Sequence, residues 1–201
     1  MFIKKTFVCA AIAASAFAAQ AQNLVVNGSF EDNLVGVGNY ITPNNILGWT
    51  GTPNIEIRNA VAGNAQDQRN YVELDTNVNS GMFQSVATGA GWYELSFWYS
   101  PRQGVAAGSN GLGYSFGSLS GTVLANVAGT SGNVWQQFTD RVYLTGATTL
   151  TFTATGRSDS LGGSLDNVSV TAVPEPETYA MMLAGLALMG SIARRRKNKA
   201  A

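Results

Sequence analysis

The 201-residue chain carries 12 basic and 12 acidic side chains, no histidine and a single cysteine, so it is formally neutral. Between Gln22 and Val173, however, there is no cysteine and no lysine, and five arginines face ten carboxylates, a net charge of −5. That stretch excludes disulfides, His- or Cys-based zinc, copper and haem sites, and Ser-His-Asp or Cys-His nucleophiles. It also argues against nucleic acid as a partner, because phosphate neutralisation needs a basic face.

In chain order, Lys4 and Lys5 precede the apolar run FVCAAIAASAFAA at 7–19, and AQA at 19–21 supplies small residues for cleavage. Charge, apolar run and small-residue site in that order predict a secretory signal helix over 1–21. The run is too short to span a bilayer. Cys9 lies inside it and leaves with it. The positive charge of the chain is thus concentrated at its two ends.

From 22 to 172 the text alternates short β-branched and aromatic runs with Gly, Asn, Ser and Thr clusters. Strands are expected near 24–31, 54–58, 70–75, 82–87, 92–99, 112–117, 121–126, 135–144, 148–155 and 164–171. No interior stretch has a helical period and no internal repeat is evident. Many short strands without intervening helices predict one all-β domain, a sandwich or barrel. The Gly-rich stretch QGVAAGSNGLG at 103–113 lacks the lysine and following helix of a phosphate loop and reads as a surface loop.

Three strands declare their faces through period-2 alternation. In WYELSFWY, Tyr93, Leu95, Phe97 and Tyr99 are expected to face the core, leaving Trp92, Glu94, Ser96 and Trp98 outside. In WQQFTDRVYL, Phe138, Val142 and Leu144 face in, and Trp135, Gln137, Thr139, Arg141 and Tyr143 face out. In TTLTFTAT, Leu150, Phe152 and Ala154 face in. Indoles interleaved with hydrogen-bonding groups suit a sugar, whose apolar C–H faces stack on flat rings while its hydroxyls need polar partners. The candidate carbohydrate-binding residues are Trp92, Glu94, Trp98, Arg102 and Trp135. Packing is the other reading of each tryptophan taken singly, and Trp49, after a glycine in ILGWT, is expected in the core.

The acidic residue of NGSFE at 27–31 and that of LDNVSV at 165–170 open and close the domain. First and last strands of a sandwich often lie side by side, which would bring Glu31 near Asp166 with turn carbonyls close by. Such a set suits calcium; two capping or solvated carboxylates are the alternative. NLVVNGSFED…GW, YVELD…FQSV…WYELSFWYS and GSLDNVSV resemble the galactose-binding-like jelly rolls, a group that includes carbohydrate-binding modules with a structural calcium. The resemblance spans about residues 23–171. It implies a jelly-roll β-sandwich, and Glu31 and Asp166 as calcium ligands with Asp75 or Glu73 as a third. A glycosidase also needs two carboxylates, but ten acids always furnish some pair, so no catalytic residue is assigned and the domain is expected to be non-catalytic.

Residues 173–201 separate from this domain. Pro174-Glu175-Pro176 cannot continue a strand ladder. Tyr179 to Ala193 is a 15-residue apolar run, and Arg194, Arg195, Arg196 and Lys197 follow it. The pattern predicts a single membrane helix, somewhat short for a full span, with its basic end on the cytoplasmic side. The three parts in this order resemble the PEP-CTERM sorting signal, which implies processing by an exosortase at or near Pro-Glu-Pro. The expected protein is therefore exported, held transiently or stably at the inner membrane, and then placed at the cell surface or in an exopolysaccharide matrix. A sugar-binding role and a structural or adhesive matrix role both fit.

Overall fold

The computed structural model describes residues 22–124, 126–174 and 176–199. The signal segment 1–21 and Glu175 lie outside them. Contacts divide the chain into a compact unit over Asn23–Ala172 and a second unit holding the chain from Val173 onward.

Twelve strands build the first unit: β1 Asn39–Ile41, β2 Asn45–Ile46, β3 Trp49–Thr52, β4 Glu56–Asn59, β5 Asn70–Glu73, β6 Gly81–Val86, β7 Ala90–Ser100, β8 Leu112–Phe116, β9 Leu119–Val123, β10 Gln136–Thr145, β11 Thr148–Ala154 and β12 Ser164–Ala172. They form two six-stranded antiparallel sheets, ordered β1-β4-β5-β12-β7-β10 and β2-β3-β6-β11-β8-β9. The chain crosses repeatedly between the sheets, as in a jelly-roll sandwich.

The alternation expected from sequence sets the interior. Leu95 and Phe97 of β7, Leu150 and Phe152 of β11, and Val142 and Leu144 of β10 are buried between the sheets. Phe97 lies at the centre of an aromatic cluster, stacked on Phe138 at 4.7 Å and edge-on to Phe152 at 5.1 Å. Trp49 is a core residue. It is 2 % exposed, tilts against Phe30 and Phe152, and donates its indole N–H to the Asn27 carbonyl, so burial leaves no polar group unpaired. Asp140 occupies an inward position of β10 and is exposed, because β10 is the edge of its sheet.

Two expectations need correction. Residues 24–31 are not a strand. Asn27 and Phe30 have φ of 52° and 61°, which breaks an extended run. The segment still lies along β12: Leu24 N–H bonds the Val170 carbonyl at 2.8 Å, and Val168 N–H bonds the Gly28 carbonyl at 2.8 Å. Gln84 of β6 fixes it from the other sheet, its amide pairing with both the N–H and the carbonyl of Val26. The short strands β1, β2 and β3 were not expected; two to four residues are too few to carry a period, and pairing alone defines them.

Among the described residues the second unit contains one helix, α1, over Pro176–Lys199. Proline at the first helical position is compatible, since its missing N–H is one that helix starts leave unpaired. The expected membrane span is the second correction: among the described residues no helix is long and apolar enough to cross a membrane. The apolar run of 15 residues covers only about 22 Å at ~1.5 Å per residue, against ~30 Å of hydrocarbon. Arg194–Lys197 and Lys199 fill the rest of the helix with charge.

The close approach of the opening segment to β12 gives a stability prediction. A Cβ on Gly28 would lie 2.1 Å from the Val168 carbonyl oxygen. Gly28→Ala should therefore cost about 1–3 kcal/mol by forcing the two segments apart, measured as a lowered denaturant midpoint. An unchanged midpoint would show the contact to be slack.

Candidate functional site

The outer face of the first sheet collects most of the candidate residues, and the β7–β10 register explains how. Trp92 lies opposite Tyr143, Glu94 opposite Arg141, Ser96 opposite Thr139 and Trp98 opposite Gln137. Each pair is a cross-strand contact on one face. Trp92 and Tyr143 meet edge-to-face at 5.7 Å and remain 47 % and 50 % exposed. Beside them Arg141 Nε bonds Glu94 Oε2 at 3.0 Å. Gln137 Nε2 donates to Ser96 Oγ at 2.9 Å. The row thus runs from an exposed aromatic pair through an ion pair to hydroxyl and amide groups. Trp98, half-buried, lies between Gln137 on one side and Asp166 of β12 on the other.

A loop over residues 60–69 arches across the same face. Ala62 N–H bonds the Tyr71 hydroxyl, and the Asn64 carbonyl accepts the Trp135 indole N–H at 3.0 Å. Trp135 packs edge-on against Tyr71 at 6.0 Å and is half-buried, so it braces this loop. Arg102 belongs elsewhere. It lines a cavity of about 290 Å³ formed with Tyr40, Thr42, Glu56, Arg58, Val61, Thr76, Asn77 and Ser160. Of the five expected sugar residues, the structure therefore aligns Trp92, Glu94 and Trp98 in one row and places Trp135 under the loop and Arg102 in the cavity. Tyr143, Arg141, Tyr71 and Tyr40 were not singled out as site residues. The alternation of β10 already turned Tyr143 and Arg141 outward, but register decides their partners.

The expected metal set does not assemble. Among the described residues no three carboxylate, histidine or cysteine side chains gather as metal ligands. Asp75 is the misfit: its Oδ2 accepts N–H groups from Asp159 and Leu161, in the loop before β12. Glu31 and Asp166 do converge on one segment. Asp166 Oδ2 takes the N–H groups of Gln66 and Asp67 at 2.8 and 2.9 Å. Glu31 Oε1 takes those of Arg69 and Asn70 at 2.8 and 2.6 Å. The two carboxylates thus grip both ends of Gln66–Asn70. Asn70 Oδ1 is buried there and receives no hydrogen bond from the described residues. Two carboxylates and a spare amide oxygen are the oxygen types a hard cation takes, while each carboxylate oxygen here already accepts an N–H group.

The electrostatics of this face are set by burial. Asp166 is fully buried, and desolvation pushes its carboxyl up to about 7 despite three backbone N–H bonds. Glu73 is raised to about 7 in the same way, against the attraction of Arg58. Arg58 is itself 3 % exposed, with Nε on Glu56 and Nη2 on Glu73 Oε2 at 3.1 Å.

Residues 172–197 match the family model of the PEP-CTERM protein-sorting motif. None of the curated proteins compared with the chain matches it. Among solved structures it is similar to TmCBM61 in complex with β-1,4-galactotriose, at 21 % identity and TM-score 0.49, covering 76 % of this chain and 100 % of that one. It is also similar to a family 35 carbohydrate-binding module from Paenibacillus barcinonensis, at 21 % identity and TM-score 0.40, covering 67 % and 99 %. A third is the enzymatically active domain of bacteriophage CBA120 tailspike protein 4, at 16 % identity and TM-score 0.46, covering 75 % and 21 %. The chain is thus a two-sheet β-sandwich followed by a PEP-CTERM sorting motif. Ligands and reactions named for these structures are theirs.

The raised carboxyls give a pH prediction. Both groups bind a proton more tightly folded than unfolded, where Asp and Glu titrate near about 4. Between about pH 4 and pH 7 the folded state holds the extra protons, so stability falls as pH rises through that window and levels off above it. In calcium-free buffer the melting temperature should be lower at pH 8 than at pH 5, and Glu73→Gln should flatten the difference. A melting temperature that rises over the same window would show both carboxyls already ionised.

Proposed function

We propose that the sandwich is a non-catalytic binding domain that receives saccharide on the outer face of its first sheet. The observation that carries this reading is the half-exposed Trp92–Tyr143 pair beside the Glu94–Arg141 ion pair and the Ser96–Gln137 contact. Buried packing aromatics would not leave about half their area to solvent at the end of a polar row. An indole face stacks on a sugar ring, while the neighbouring carboxylate, guanidinium and amide groups pair with hydroxyls. The sorting motif supports delivery: an exosortase would process the chain at or near Pro174-Glu175-Pro176, with Arg194, Arg195 and Arg196 as the basic tail. The protein would then reside at the cell surface or in the exopolysaccharide matrix, after a transient or stable stay at the inner membrane.

Calcium enters this reading as a staple. Glu31 and Asp166 would hold it, with Asn70 Oδ1, and when bound it supplies a cross-link among the opening segment, the Gln66–Asn70 loop and β12. Such a link would offset the absence of disulfides.

A glycan array probed with the full-length protein tests the first claim. Binding to at least one neutral polysaccharide is expected, with Trp92→Ala weakening it about tenfold. Absence of any glycan binding would favour a structural or adhesive matrix role, and binding indifferent to Trp92→Ala and Tyr143→Ala would move the site off this face. For calcium, addition of the ion should raise the melting temperature, chelator should reverse the gain, and Glu31→Ala should abolish it. A melting curve identical in calcium and in chelator would remove the staple.

A further inference from the structure

We propose that the cavity at the β1–β4 edge of the first sheet takes the carboxylate-bearing end residue of an acidic saccharide, with Arg102 holding the carboxylate. The proposal rests on the saccharide reading above and gives it a second subsite. The aromatic row occupies β7 and β10, at the opposite edge of the same sheet. The two places have different chemistry: exposed rings there, guanidinium groups here.

Arg102 is the informative residue. Its Nη1 donates to the Ser160 carbonyl at 2.7 Å, yet it forms no ion pair among the described residues. Burial, and then the charge of Arg58, hold its guanidinium below the ordinary arginine value. A half-compensated cation facing a cavity is stabilised by an incoming anion. Arg58 is also in the lining, but its Nε and Nη2 are engaged by Glu56 and Glu73 and its Nη1 is buried from solvent, so Arg102 is the guanidinium that an incoming group can reach. Glu56 is the one carboxylate among the lining residues, and Arg58 engages its Oε1. The anion's place is therefore toward Arg102.

Carboxylate suits this arrangement because a planar guanidinium fork matches it in two parallel hydrogen bonds. Sugar is indicated by the remaining walls. Thr42 and Asn77 supply hydroxyl and amide groups, and Tyr40, 58 % exposed, presents a ring at the rim. A volume of about 290 Å³ is at the small end of ligand pockets and admits a single ring more readily than a chain.

The test titrates the full-length protein calorimetrically with trigalacturonate and with its methyl-esterified, uncharged form. The acid should bind, and the ester should bind at least about tenfold more weakly. Arg102→Gln and Arg102→Ala should erase that difference, with melting temperatures confirming that both variants fold. Trp92→Ala should weaken neutral glycans, the ester included, while the acid's dependence on Arg102 persists, so failure of one site is distinguishable from failure of the other. Equal binding of acid and ester overturns the proposal. So does no binding of the acid, a difference that survives both arginine variants, or competition by inorganic phosphate as strong as that by the acid.

Discussion

The position of β12 is the constraint on which the first sheet depends. It is the last strand in sequence, yet it lies inside the sheet, between β5 and β7. Without it, β1-β4-β5 and β7-β10 are two separate fragments. The sheet's outer face becomes continuous only when the domain's last strand is inserted. β12 also carries the opening segment, through Leu24 and Gly28, so both ends of the domain close at one place. Contacts between such distant residues must repay the entropy of closing a long loop.

The same strand organises the loop above the face. A bulge between Asp166 and Ser169, with Asn167 at φ 48°, lets Leu165 and Val168 both reach the core while Asp166 faces outward. Asp166 then holds Gln66 and Asp67, and Glu31 holds Arg69 and Asn70. Two carboxylates from opposite ends of the sequence fix one loop by its backbone N–H groups. That loop in turn carries Trp135 through Asn64, and so shapes the face around Trp98.

Charge is distributed with similar economy. The domain has no lysine, and four of its five arginines are spread among distinct tasks. Arg58 is buried between two glutamates, Arg141 pairs on the surface with Glu94, and Arg69 pairs with Glu31. Among the described residues the Arg102 guanidinium has a carbonyl partner only. A buried triad such as Glu56–Arg58–Glu73 pays heavily in desolvation and is weak evidence of a stability role.

The sequence by itself determined the strands with a clear period, their inward and outward faces, the acidic lysine-free domain and the sorting motif. Nine of the ten expected strands are present, because alternation of apolar and polar residues is a local property enforced by the pleat. The exception, 24–31, was overridden by left-handed residues that composition does not reveal. The helix at the end was legible as a helix, while its capacity to span depended on how few apolar residues it contains. Only the tertiary structure decided which residues share a site. Trp92 and Tyr143 are 51 positions apart and meet through register. Asp75 and Asp166 looked like partners and are held by different loops. Arg102 looked like a companion of the tryptophans and lines a separate cavity. The physical reason is that one strand's side chains alternate by local geometry, but pairing between strands is fixed by long-range packing and hydrogen bonding.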